Sequence, residues 1–471
     1  MIILNNNSGT PLYIQIYGQL KEEIIAGRLP QNSKLPSTRY LSETLNVGRN
    51  TVENAYLQLA SEGYVQSKAG SGFIVQNINS MMDFIEHENY SMDQTEPKHG
   101  KSGSSLIYTY KFEYSHLSSI DFPMNIWKKV SNKALASLTP EDMTKYCERN
   151  GDLELRNDLR DYLRKSRGLS CDAEQIIICS GFDYALSLLS HLLRPGFNQV
   201  AVEEPGYSGA RDIFRNNGFT VVPITVEKDG LDITELTNSS AKIVYVTPSH
   251  QFPTGAVMPI QKRLLLLNWA SRSNGIIIED DYDSELRYNS RPIPSINSIT
   301  KSENVVYVGT LSKALSPSLR VSYMVLPLKL MKLYNKDFKM YQCPVALVQQ
   351  RIIHQFIHSG HWERHLRRSC NANKKKHDLL IQTIEELLGD SVIIHGRNAG
   401  LHILLESTQG LTEKEMVDKS GEYGVLVYPV STFWIDANRY PNNMVLLGFG
   451  NTSEEVIING IKQLARAWKV F

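Results

Sequence analysis

From Tyr108 onward the chain alternates short apolar runs with amphipathic stretches for more than 350 residues, and no other feature limits its fold as tightly. The runs Gln175–Cys179, Gln199–Glu203, Lys242–Thr247, Gly275–Glu279 and Asn304–Gly309 are apolar through most of their length rather than at every second position. Strands of that kind are buried on both faces, so they predict an α/β domain with a mainly parallel sheet covered by helices on either side. At 471 residues the chain is too long for one compact core. Its 42% hydrophobic and 21% charged residues exclude global disorder, and it holds no internal repeat.

The alternation does not reach the start of the chain. Residues 1–76 read as helices followed by a hairpin, and residues 77–106 mix polar, Ser, Gly and charged residues without period, which predicts a linker. Residues 107–471 then form the large α/β domain. No apolar run approaches the ~18 residues that span a bilayer. Only Ile2, Ile3 and Leu4 precede an Asn run, so no signal peptide is expected and the location is cytoplasmic. The five cysteines (Cys147, Cys171, Cys179, Cys343, Cys370) never form a C-x-x-C pair, so neither a disulfide nor a zinc framework, and no metal, is expected.

In the first 76 residues Ile16, Tyr17, Leu20, Ile24 and Ile25 make one apolar helix face that ends near Gly27. Ser37 or Thr38 can cap a second short helix burying Leu41 and Leu45, and after Asn46–Val47–Gly48 a third buries Val52, Ala55, Tyr56 and Leu59. Two short helices joined by a tight turn form a helix-turn-helix, whose second helix points its N-terminus into a major groove. Arg49, Asn50 and Thr51 sit at that end. They are side-chain types that read base edges and hold phosphates. The hairpin that follows, Tyr64–Ser67 to Phe73–Gln76, turns through Lys68 and the glycines Gly70 and Gly72, as a wing does.

Charge alone would argue against DNA. The 50 Lys and Arg nearly cancel the 49 Asp and Glu, and even residues 1–76 hold six basic against five acidic side chains. The wording outweighs the sum. Leu35–Pro36–Ser37–Thr38–Arg39, Leu41–Ser42, Val47–Gly48–Arg49–Asn50–Thr51–Val52 and Leu59–Ala60–Ser61–Glu62–Gly63–Tyr64 resemble the winged-helix DNA-binding domain of the GntR family. The resemblance implies contacts to double-stranded operator DNA from Ser37, Arg39, Arg49, Asn50, Thr51, Lys68 and Gly70.

Four stretches carry the chemistry of the large domain. At Ile178–Cys179–Ser180–Gly181–Phe182–Asp183 a strand runs into a helix, whose free N–H groups suit an anion. Glu203–Glu204–Pro205–Gly206–Tyr207 places an aromatic after a strand. The strand beginning at Gly275 ends in Glu279–Asp280–Asp281–Tyr282–Asp283, acids that are costly to bury without partners. Alternation sends Asp280 and Tyr282 to one side and Asp281 to the other. Last, Val305–Gly309 leads into Thr310–Leu311–Ser312–Lys313, with Arg320 seven residues on. A desolvated lysine there can form a Schiff base, while hydroxyls and an arginine hold a phosphate nearby.

In this order the four stretches resemble fold-type I pyridoxal 5'-phosphate (PLP) enzymes of the aminotransferase class. The resemblance implies that Lys313 carries PLP as an internal aldimine and that Asp280 pairs with the ring nitrogen. Tyr282 would hydrogen-bond the phenolic oxygen and Tyr207 would stack on the ring. Gly181, Phe182, Asp183, Thr310, Ser312 and Arg320 would surround the phosphate.

Together with the winged helix, and with Thr247–Gly255 and Glu279–Glu285, the whole chain resembles the MocR/GabR group of transcription regulators. That implies a PLP-dependent DNA-binding regulator that senses an amino-group-containing small molecule through an external aldimine at Lys313, as a head-to-tail homodimer. An active aminotransferase, and a sensor of PLP level controlling vitamin B6 synthesis, are the alternatives. Departures from working aminotransferases favour sensing: Phe252 replaces a cofactor-bonding Asn, and Leu446 replaces the arginine that clamps a substrate carboxylate. The arginines expected for a GABA effector are also missing, at Tyr207–Ser208–Gly209 and Val430–Ser431–Thr432–Phe433, so the effector is not expected to be GABA. Arg211 and Arg397 are candidate replacement anchors.

Overall fold

The computed structural model describes residues 2–5, 9–68, 72–77, 108–114, 117–118, 121–288, 294–299 and 303–468. The chain divides into two compact units, residues 1–104 and 105–471. The predicted linker lies, apart from Asn77, outside the described residues, as does Gly70. Among the described residues no helix is long and apolar enough to cross a membrane.

The described residues of the first unit form three helices and a hairpin: α1 (Leu12–Ile25), α2 (Thr38–Leu45), α3 (Arg49–Ser61), β1 (Val65–Lys68) and β2 (Gly72–Val75). Ile16, Leu20 and Ile24, four residues apart, put one face of α1 into a core shared with Val52, Ala55, Tyr56 and Leu59 of α3. Ile25 does not join this face but is exposed. Tyr17 sits at its edge, where its hydroxyl donates to Glu62 at 2.6 Å. The Ser37 hydroxyl accepts the Tyr40 N–H at 3.1 Å and so starts α2. Asn46, left-handed at φ 51°, ends it and makes the turn into α3.

In the second unit, β3 (Tyr110–Lys111) pairs in parallel with β14 (Val425–Leu426). The main sheet has eight strands: β4 (Ile176–Cys179), β5 (Gln199–Glu204), β6 (Thr220–Glu227), β7 (Gly230–Leu231), β8 (Ile243–Val246), β9 (Ile276–Asp281), β10 (Val305–Thr310) and β11 (Ser322–Val325). Their order is β4-β11-β10-β9-β8-β5-β6-β7. The central pairs β6–β5, β5–β8, β8–β9 and β9–β10 are parallel, and β11 and β7 run against their neighbours. All five apolar runs picked out in the sequence lie in this sheet, and β4, β8, β9 and β10 are buried at every position.

A smaller antiparallel sheet, ordered β12-β13-β16-β15, combines β12 (Val392–His395), β13 (His402–Ser407), β15 (Tyr428–Pro429) and β16 (Met444–Gly448). The alternation of the long α/β stretch did not foretell it. Its edge strands β12 and β15 are short and partly exposed (Ile393 of β12 is 48% accessible), so they lack the continuous apolar signature, whereas β13 and β16 are almost wholly buried. The carboxyl ends of β4, β8, β9 and β10 gather on one edge of the main sheet, where doubly wound sheets bind ligands.

Candidate functional site

In the N-terminal unit the proposed DNA contacts lie at the surface. Arg49 and Asn50 open α3 and are exposed, Thr51 is half-buried behind them, and Lys68 is exposed at the end of β1. Arg39 projects from α2 and meets Glu43 one turn on at 3.1 Å, an exposed pair of the kind that contributes little to stability. Ser37 is committed locally as the cap of α2.

In the C-terminal unit nine of the ten proposed cofactor residues line one cavity of about 380 Å³: Phe182, Asp183, Tyr207, Asp280, Tyr282, Thr310, Ser312, Lys313 and Arg320. The tenth, Gly181, stands beside it. Its φ of 89° suits glycine, and a Cβ there would lie 2.5 Å from the Arg320 guanidinium. Gly181 thus ends the β4 turn, starts the helix Phe182–Leu193 and lets Arg320 reach the helix N-terminus. Arg320 is itself left-handed, at φ 48°, and donates to Asp183 Oδ2 at 2.9 Å.

The end of β9 separates its acids as alternation requires. Asp280 faces the cavity and accepts the Tyr245 hydroxyl. Burial pushes its carboxyl up to about 8, against the lowering effect of that hydrogen bond. Asp281 turns to the other face, where Arg167 lies 2.7 Å away with both side chains buried. Arg167 also donates to Ser249, and Tyr307 donates to Asp281. One guanidinium thereby joins the helix Leu153–Arg167, the loop after β8 and the end of β9. Asp283, beyond the end of β9, no longer follows the alternation: it lines the cavity and holds His250 Nδ1 at 2.7 Å.

Lys313 follows β10. Its amine donates to the Tyr114 carbonyl at 3.3 Å, and burial holds its pKa below the ordinary lysine value. The Tyr207 ring sits over the opening, 5.9 Å from Phe182 and 5.8 Å from Phe252. Tyr282 lines the cavity with its ring, but its hydroxyl is 3.0 Å from both the carbonyl and Nδ1 of His250. The phenol predicted to face the cofactor's oxygen is therefore held by the chain in this arrangement.

Sequence reasoning missed Tyr114, Tyr245, Thr247, Asp283, Leu401 and His402, which also line the cavity. Tyr245 was within reach of it, because β8 runs parallel beside β9 and pairs Tyr245 with Ile278, two residues before Asp280. Tyr114 and His402 were not, since they come from segments more than 120 residues away from the Asp280 strand. Burial pushes the His402 imidazole down to about 3, so it is neutral. Phe252 stands in the wall, and behind it an apolar cluster with Phe433 and Leu446 packs against it.

Two expectations are corrected. Arg211 is not an anchor in the cavity: its guanidinium donates to the carbonyls of Thr432 and Trp434, at 3.3 and 3.4 Å, and closes the Ser431–Phe433 turn. Arg397 pairs with Glu385 at 2.5 Å and does not line the cavity either.

The donor set fits PLP. A buried lysine with a lowered pKa, a buried carboxylate, and a helix N-terminus flanked by Arg320 and two hydroxyls match the aldehyde, the ring nitrogen and the phosphate respectively. Residues 113–442 match the aminotransferase class I and II family, and residues 12–75 match the bacterial regulatory proteins of the gntR family. The HTH-type transcriptional regulator YdeL of Bacillus subtilis is 37% identical over 99% of this chain and 99% of its own. The regulatory protein MocR of Rhizobium meliloti is 30% identical over 99% of this chain and 96% of its own. Kynurenine aminotransferase of Pyrococcus horikoshii superposes with a TM-score of 0.67 at 26% identity, over 78% of this chain and 92% of that one. The chain belongs to the MocR group of GntR-family transcriptional regulators, in which a DNA-binding domain is joined to an aminotransferase-like domain.

Proposed function

We propose that this chain is a PLP-dependent regulator: residues 1–76 bind operator DNA, and the cavity at Lys313 senses an amino-group-containing small molecule. The observation that carries the reading is the joining, in one chain, of a GntR-type reader to a buried lysine facing a buried carboxylate across a ligand-sized cavity. When bound, PLP supplies an aldehyde that accepts amino groups reversibly.

Each cavity residue has a task. The Lys313 amine would hold the group covalently, and its lowered pKa leaves more of it unprotonated and nucleophilic near neutral pH. The Asp280 carboxylate would hold a proton on the ring nitrogen by opposite charge. The N–H groups at Phe182 and Asp183, the Thr310 and Ser312 hydroxyls and Arg320 would bind the phosphate, with Gly181 allowing the close approach. Tyr207 would cover the ring, and Tyr282 would line the cavity while its hydroxyl donates to the His250 carbonyl.

An effector regulates only by binding one state of the protein better than another. Release of the Lys313 amine by an incoming amine is the change that would be read, and a head-to-tail homodimer would present two readers to repeated half-sites. Phe252 in the wall, backed by the apolar Phe433 and Leu446, supports sensing over turnover, because the positions of Phe252 and Leu446 offer no polar group to a cofactor or a substrate carboxylate.

The test titrates PLP-loaded full-length protein with D- and L-amino acids, small peptides and ω-amines while following both visible absorbance and binding to its own promoter DNA. An amine that shifts the spectrum and changes DNA affinity, with no net transfer to an oxo acid, supports the proposal. Multiple-turnover transamination with unchanged DNA binding overturns it.

A further inference from the structure

Away from the cavity, the helix Leu347–His358 carries His354 and His358 four residues apart, so both imidazoles lie on one face. That face packs against the helix Leu153–Arg167, which brings Asp158 between them. His354 Nδ1 is 2.7 Å from Asp158 Oδ2, and His358 Nδ1 is 3.6 Å from Asp158 Oδ1. One ligand atom from each of the three lies within 4.8 Å of the other two.

We propose that Asp158, His354 and His358 bind one Zn²⁺-type divalent cation that ties these two helices together. Zinc bonds of about 2.0–2.2 Å to nitrogen and oxygen in a tetrahedron put neighbouring ligand atoms about 3.3 Å apart, and the observed separations bracket that value. Two imidazoles and a carboxylate are the donors that late first-row cations prefer, and hard cations such as Mg²⁺ would select more oxygen. The side chains are graded in exposure: those of Asp158 and His354 are 14% and 10% accessible, and that of His358 is 68%. The inner pair is therefore held by packing, while the outer histidine can swing onto an ion and leave a fourth position to water. Repulsion is limited, because Arg351, one turn earlier on the same helix, is bonded to Asp152 at 3.0 Å.

A His-x-x-x-His pair needs a facing carboxylate, here Asp158, which lies 196 residues before His354 and reaches it through helix packing.

The experiment uses chelator-treated full-length chain. Zn²⁺ is titrated calorimetrically and Co²⁺ is titrated by visible absorbance, which reports tetrahedral geometry. One equivalent per chain is expected, together with a rise in the thermal midpoint on adding Zn²⁺. His358→Asn, at an exposed position that leaves the fold intact, and Asp158→Asn should each weaken binding at least tenfold and remove the thermal rise. PLP absorbance should be the same in both variants, which separates this site from the cavity. The absence of saturable Zn²⁺ binding, or wild-type affinity in both variants, overturns the proposal.

Discussion

The two units place their functional side chains in opposite environments. The reader keeps Arg39, Arg49, Asn50 and Lys68 exposed at the surface, where each acts by its position. The cavity takes Asp280 and Lys313 out of water, where burial moves both pKa values toward the neutral forms. A surface contact adds an increment to affinity and can be lost singly. A buried pair works only as a set, because each charge is costly without its counterpart.

The largest expected effect tests this directly. Lys313→Ala should abolish the visible absorbance of bound PLP and every response of DNA binding to amines, while basal DNA binding remains; spectra and mobility shifts on one preparation check both. A variant that kept the absorbance and the response would remove Lys313 from the centre of the site. Next, Arg49→Ala should weaken operator binding by about 1–3 kcal/mol if it reads a base, or lower the salt slope by about one if it holds a phosphate. PLP loading should be untouched, so an altered spectrum would break the separation of the two units.

A smaller effect follows from the raised pKa of Asp280. With a folded value of about 8 against an ordinary carboxylate value of about 4, the folded protein binds the extra proton between those limits. Asp280 therefore costs the PLP-free protein stability as pH rises from about 4 to about 8. Asp280→Asn should gain on the wild type in thermal midpoint across that window, and the gain should vanish or reverse when PLP supplies a cationic partner. A pH-independent difference would contradict the burial argument. The smallest effect is local: Ser37→Ala should cost about 1 kcal/mol through loss of the α2 cap, measured by denaturant unfolding.

Legibility followed the same division. The main sheet could be read because β4, β8, β9 and β10 are buried throughout and therefore apolar throughout. The opposite aims of Asp280 and Asp281 followed from strand alternation alone. The antiparallel sheet was hidden by its short, partly exposed edge strands β12 and β15, which leave the buried β13 and β16 without recognisable partners in sequence. Tyr114 and His402 were hidden because nothing local marks a residue that reaches a cavity from a distant segment. Arg211 misled for a related reason: a guanidinium near a site in sequence went to the nearest unpaired carbonyls instead.

The Arg167–Asp281 pair has a consequence beyond its own face of the sheet. By pinning Asp281 on the far side, it sets the direction in which Asp280 points, so the aim of the cavity is fixed from behind, like a picture hung from the back of its frame. A wall residue such as Phe252 can then be replaced without disturbing that aim. Damage to Arg167 would present in a screen as lost cofactor binding, although no atom lining the cavity had been changed.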